Sequence, residues 1–171
     1  MPGKKPANKG TRPGARSRER FLRRAIALSL ENVRKGRGGP FAAIVVKDGR
    51  AVSAGTNRVT LTNDPTAHAE IVAIREACRA LGTFELSGCE IYASCEPCPM
   101  CLGAIYWARI EQVYFAASAS DASRAGFDDS LISRQLRLPR SRRRVRMTQM
   151  LRREGLRAMR AWQETANKIP Y

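Results

Sequence analysis

An α/β fold, with helices layered on a mixed sheet, is what this sequence predicts, and three observations predict it. Strand-like and helix-like segments alternate from residue 66 to residue 117, the pattern that packs helices against a sheet. Ahead of them, two apolar segments are joined by Asp48-Gly49, the strongest short signal for an antiparallel hairpin. The 171 residues are 43% hydrophobic and 27% charged, which suits one domain with its own core and argues against disorder throughout. No stretch approaches the ~18 consecutive apolar residues of a membrane-spanning helix.

Taken in order, the first sixteen residues contain Pro and Gly, no acid and no aliphatic side chain larger than Met1. Residues 1–17 therefore read as a basic, disordered tail. The tail lacks the apolar stretch of a secretory signal. It is Arg-rich and acid-poor like a mitochondrial presequence, but has no amphipathic period. Residues 18–35 place Phe21, Leu22, Ala25, Leu28 and Val33 near one helix face, and Gly36, Gly38, Gly39 and Pro40 end that helix. Residues 41–57 form the hairpin, and 58–65 a loop closing on Asp64-Pro65. Thr66 can cap a helix that runs from 68 to Gly82. A strand at 89–94, a helix from Pro97 to Ala108 and a strand at 112–117 come next. Residues 118–133 read mostly as loop, 134–146 as an Arg-rich segment, and 147–166 as a helix with Gly155 as a candidate break. There are no internal repeats.

The net charge of +16 invites a nucleic-acid reading, but its distribution does not support one for the whole body. Residues 1–24 hold nine basic side chains and one acid, and residues 134–171 hold twelve and two. Residues 25–133 hold ten basic and twelve acidic side chains, a net of −2. A nearly neutral body thus carries two basic ends, and charge runs of this kind are usually solvated.

The chemistry lies in that body. Five cysteines (Cys78, Cys89, Cys95, Cys98, Cys101) and no secretory signal indicate a reducing, cytoplasmic setting and no disulfide framework. His68 is the sole histidine, and Cys98-Pro99-Met100-Cys101 is the sole Cys-x-x-Cys. A structural zinc site needs four protein ligands, whereas three ligands with an open position make a catalytic one. Both ligand sets sit at predicted helix N-termini, where the helix dipole favours thiolates. Glu70, two residues from His68, is placed as a proton shuttle beside a metal-activated water. Cys95 is excluded from the ligand set, which is complete without it, and Cys78 and Cys89 read as small buried hydrophobes. His-x-Glu followed by Pro-Cys-x-x-Cys is the zinc nucleobase-deaminase signature.

At these residues the sequence resembles the cytidine-deaminase-like superfamily. Asn-Asp-Pro-Thr-Ala-His-Ala-Glu (63–70), the segment 94–109, Ala-Gly-Phe-Asp-Asp-Ser (125–130) and the ending 161–171 are similar to the small zinc-dependent guanine deaminases of bacteria. The resemblance spans about residues 18–171, and it implies a three-layer cytidine-deaminase-like fold with a five-stranded mixed sheet between helices. It implies one Zn2+ per subunit on His68, Cys98 and Cys101. It also implies a homodimer in which residues 147–171 swap between subunits as a helix and lid. Its substrate residues correspond here to Phe41 and Trp107 as pocket walls, Asn57 as hydrogen-bonding group, Ala69 beside the catalytic Glu70, Asp129 against the purine N–H edge, and Tyr171 over the neighbouring subunit's site. The family usually has Gly where this chain has Ala42.

The implied reaction is hydrolytic. A zinc-bound hydroxide attacks C2 of guanine, Glu70 takes and delivers protons, Asp129 assists, and xanthine and ammonia leave. Two readings compete. A tRNA adenosine deaminase shares the zinc motif and would suit the charge, but that family tends toward Cys-Ala-Gly-Ala after the Cys-x-x-Cys, where this chain has Cys-Leu-Gly-Ala. Guanosine or another aminated heterocycle is a nearer variant. A nucleic-acid-binding protein acting through its basic ends is the non-enzymatic alternative, and it is not favoured over a small purine base as partner.

Overall fold

A computed structural model describes residues 14–170. The chain divides into two compact units between Asp129 and Ser130.

The first unit opens with α1 (Ala15–Arg34), followed by strands β1 (Ala42–Lys47) and β2 (Arg50–Thr56). The hairpin turn at Asp48-Gly49 has positive φ at both residues, 49° and 72°, the pairing that matches strand twist. A one-turn helix α2 (Val59–Thr62) lies inside the expected loop. Then come α3 (Ala69–Leu81), β3 (Cys89–Cys95), α4 (Pro99–Trp107), β4 (Gln112–Ala117) and α5 (Ala119–Arg124). α5 occupies a stretch expected to be loop. It begins at a capping box in which Ser118 and Asp121 satisfy each other's backbone N–H, a signal short enough to pass for a turn.

The sheet order is β2-β1-β3-β4, antiparallel except for the parallel β3–β4 pair. The sheet has four strands among the described residues, so the expected fifth is corrected: the described chain beyond β4 forms helices rather than a further strand. Alternation along the strands separates two cores. Ala43, Val45, Ile91 and Ala93 pack with α3 and α4 on one face, while Ile44, Val46 and Tyr92 pack with Phe21 and Ala25 of α1 on the other. That is the three-layer arrangement. The helix α1 starts three residues before the expected 18. Its buried stripe is Phe21, Ala25, Ser29 and Asn32, while Val33, expected on that face, is 50% exposed.

The second unit contains α6 (Ser130–Arg137), a single 3-10 turn (Arg140–Arg142) and α7 (Arg152–Glu164). The Arg143 guanidinium donates to the carbonyls of Leu138 and Leu136 at 3.0 and 3.4 Å, closing the C-terminal end of α6. α7 is shorter than the expected 147–166, and Gly155 does not break it: its N–H donates to Leu151 O at 3.0 Å. None of the described residues of this unit is buried. No helix of the described residues is long and apolar enough to cross a membrane.

Candidate metal and substrate site

Two helix N-termini build the site. The Asp64 carboxylate accepts from the Thr66 N–H at 2.8 Å and its hydroxyl at 2.6 Å, fixing the turn that delivers His68. His68 is the N-cap residue of α3, where Thr66 was expected, and Cys98 is the N-cap of α4 with Pro99 behind it. Cys101 lies in the first turn of α4, fully buried. Such positions fix the backbone from which each donor projects and bring the positive end of the helix dipole to both.

His68 Nδ1 lies 3.5 Å from Cys98 Sγ and 3.5 Å from Cys101 Sγ. All three donor atoms fall within 4.8 Å of one another. A tetrahedral zinc with Zn–S near 2.3 Å and Zn–N near 2.0 Å separates its sulfur and nitrogen donors by about 3.5 Å. The donor set therefore fits zinc in both chemistry and spacing. Hydrogen bonding from Cys101 and His68 pulls the Cys98 thiol down to about 4, making it the thiolate of the pair. The Cys101 thiol is pushed up by that neighbour, by burial and by Glu70. The hydrogen bond with Cys98 raises His68, against the effect of burial.

Glu70, in the first turn of α3, is 7% exposed. Its Oε2 accepts from Cys101 Sγ at 3.4 Å, and burial pushes its carboxyl above the ordinary value. A buried carboxyl raised in this way holds a proton more readily than an exposed one. Burial also raises the half-buried Asp129, followed by the charge of Cys98 and then Asp128, so Asp129 lies within electrostatic reach of the metal donors.

Phe41 and Asn57 flank the β1–β2 hairpin and are joined by Asn57 N–H donating to Phe41 O at 3.0 Å. The Asn57 carboxamide oxygen accepts from the backbone N–H groups of Gly39 and Val59 at 3.4 and 3.3 Å, which leaves its NH2 end as the donor. Ala69 is fully buried and packs in the core, so only its backbone can face a substrate. Trp107 is exposed at the end of α4, and Tyr171 lies outside the described residues. Phe127, which sequence reasoning does not assign, meets Phe41 edge-on with ring centroids 4.9 Å apart. Its signal was its place inside the 125–130 segment. A cavity of about 350 Å³ lies beside these two rings, lined also by Ile26, Ser94 and Cys95, and none of the three metal donors lines it.

The family model for the cytidine and deoxycytidylate deaminase zinc-binding region matches residues 15–117. The chain belongs to this zinc-binding deaminase family. Within the family it is similar to guanine deaminase of Bacillus subtilis (strain 168), at 52% identity over 153 residues, 90% of this chain and 98% of that protein. The X-ray structure of guanine deaminase from Bacillus subtilis superimposes with a TM-score of 0.87, at 52% identity and the same coverage of both chains. A tRNA-specific adenosine deaminase of Aquifex aeolicus (strain VF5) is 47% identical over 100 residues, 58% of this chain and 66% of that protein. In this family setting, His68, Cys98 and Cys101 are the candidate zinc site.

Proposed function

We propose that this protein hydrolyses guanine to xanthine and ammonia. The observation that carries the reading is the extent of the likeness. A 153-residue match to a guanine deaminase extends well past Ala117, where the zinc-binding region ends. The match to the adenosine deaminase covers 100 residues.

His68, Cys98 and Cys101 would hold the zinc, which would supply the Lewis acidity that activates water at neutral pH. The chain's own residues do the rest. Glu70 takes the proton of the water whose oxygen bonds to C2 of guanine. It passes that proton to ring nitrogen N3, then takes the proton of the new C2 hydroxyl and passes it to the exocyclic amine; the C2–N bond breaks as the C2 carbonyl forms, and ammonia leaves. The burial of Glu70 favours its protonated form relative to an exposed carboxyl, which suits a group that holds a proton before passing it on. The Asn57 NH2 donates to the purine carbonyl, and Asp129 accepts from the N–H edge. Phe41 and Trp107 wall the flat ring, a combination of apolar walls and few directed polar groups that suits a base. The Ala69 backbone lies beside the reacting centre.

We further propose a homodimer in which residues 147–171 cross to the partner and Tyr171 covers its site. The cytoplasm is the proposed compartment, a reducing setting that suits five unpaired cysteines. A panel of guanine, guanosine and tRNA, assayed for ammonia with zinc measured on the same sample, tests the reading. Release from free guanine is expected, and inosine formation in tRNA without it would overturn the reading. Glu70→Gln is expected to retain zinc and lose turnover, and near-normal activity in that variant would remove Glu70 from its role.

A further inference from the structure

Asn32 belongs to neither of the elements that carry the metal donors. It lies on the inner stripe of α1 and is 3% exposed. Its Nδ2 donates to two backbone carbonyls, Gly39 O at 2.9 Å and Asn57 O at 3.0 Å. A carbonyl cannot donate, so the orientation of this amide is fixed by chemistry. Its Oδ1 is buried with no hydrogen-bond partner among the described residues. An amide kept only to fill space would not carry that desolvation cost, so the two donated bonds are what the position selects for.

Those bonds end on the two segments that present the ring-reading groups. Asn57 O is held by Asn32, Asn57 N–H by Phe41 O, and Asn57 Oδ1 by the N–H of Gly39 and Val59. Gly38, at φ 148°, lies so close that a Cβ would sit 2.5 Å from Asn57 O. The backbones on either side of the hairpin are thus tied to each other through one side chain of a third element.

We infer that Asn32 is a positioning residue: its carboxamide fixes the Asn57 amide and the Phe41 ring in the pose that reads the base. The inference rests on the guanine-deaminase reading, but its test separates the two. Asn57 contacts the purine in ground and transition states alike, so its displacement weakens binding more than turnover. Asn32→Ala is expected to raise KM for guanine by up to about 100-fold, with a smaller change in kcat and a full complement of zinc. Asn32→Asp, which turns a carboxylate oxygen onto the two carbonyls at constant size, is expected to do at least as much. Because Asn32 acts through Asn57 as well as Phe41, the double variant Asn32→Ala/Asn57→Ala is expected to lose less than the sum of the two single losses. Additive losses, an unchanged KM, or loss of zinc together with activity would each overturn the inference. If the wild type releases no ammonia from guanine, the substrate reading fails. The positioning role is then read from amide exchange at Gly39, whose protection is lost in Asn32→Ala if the role is correct and retained if it is not.

Discussion

Asp64 shows how a residue outside the chemistry governs it. Its carboxylate accepts both bonds from Thr66, and those bonds hold its pKa below the usual 3.8. A carboxyl depressed on folding stabilises the fold above its unfolded value, and the contribution is lost as the pH falls through the folded one. Asp64→Asn keeps an oxygen acceptor but not the charge. Metal-free wild type is expected to melt above this variant at neutral pH, with the difference closing below pH 3.8; a gap that persists in acid would show that the charge is irrelevant. The donors themselves are tested by removal. His68→Ala and Cys98→Ala are each expected to lose both zinc and turnover, because two remaining donors are too few for a tight tetrahedral site. Added zinc should restore activity to chelated wild type but not to either variant. The donors were legible in the sequence because they are rare residue types in a fixed register. Asn32 was not, since a polar residue in a helix reads as solvated unless the buried stripe is known, and that stripe runs through Ser29 and Asn32 where apolar periodicity pointed to Val33.

Among the elements, the contact that sets the height of His68 is β2 against α3. At Gly55 an added Cβ would lie 2.4 Å from Ala69 O and 2.5 Å from Ala73 N, so the strand packs directly on the helix backbone that begins at the His68 cap. Gly55→Ala is expected to cost about 1–3 kcal/mol by overpacking and to reduce zinc occupancy, because relief requires α3 to move. A lowered melting temperature with full zinc would show that the strain is absorbed elsewhere. The elements themselves were legible wherever period and punctuation coincided: the Asp48-Gly49 hairpin, α3 closed by Gly82, and α4, which opens at Pro99, two residues after the expected Pro97. Short helices without an apolar face were not. α2 and α5 bury none of their residues, so hydrophobic periodicity had nothing to report, and only the Ser118/Asp121 cap marked α5.

At the scale of the molecule, charge and apolar surface have different meanings. The basic ends flank a body whose net charge is −2 and which holds the metal donors, so the +16 does not describe the reaction. The apolar surface of the second unit is more informative: Leu136, Val145, Met150, Leu151 and Ile169 are each more than half exposed. An isolated chain leaving this much hydrocarbon in water forgoes its hydrophobic stabilisation, which the proposed homodimer would recover by burying it against a second copy. Light scattering is expected to give twice the 19.0 kDa chain mass. Whether Tyr171 serves its own site or its partner's can be decided by complementation. On the proposed roles, Glu70→Gln would abolish the proton shuttle of its own chain and Tyr171→Ala would remove the lid. When the two variants are unfolded, mixed and refolded together, the heterodimer contains one site with an intact Glu70. If lids cross over, that site is covered by the intact Tyr171 of the Glu70→Gln chain, and activity rises well above that of either variant refolded alone. If each Tyr171 covers its own subunit, the only intact Glu70 lies under a missing lid, and mixing restores nothing.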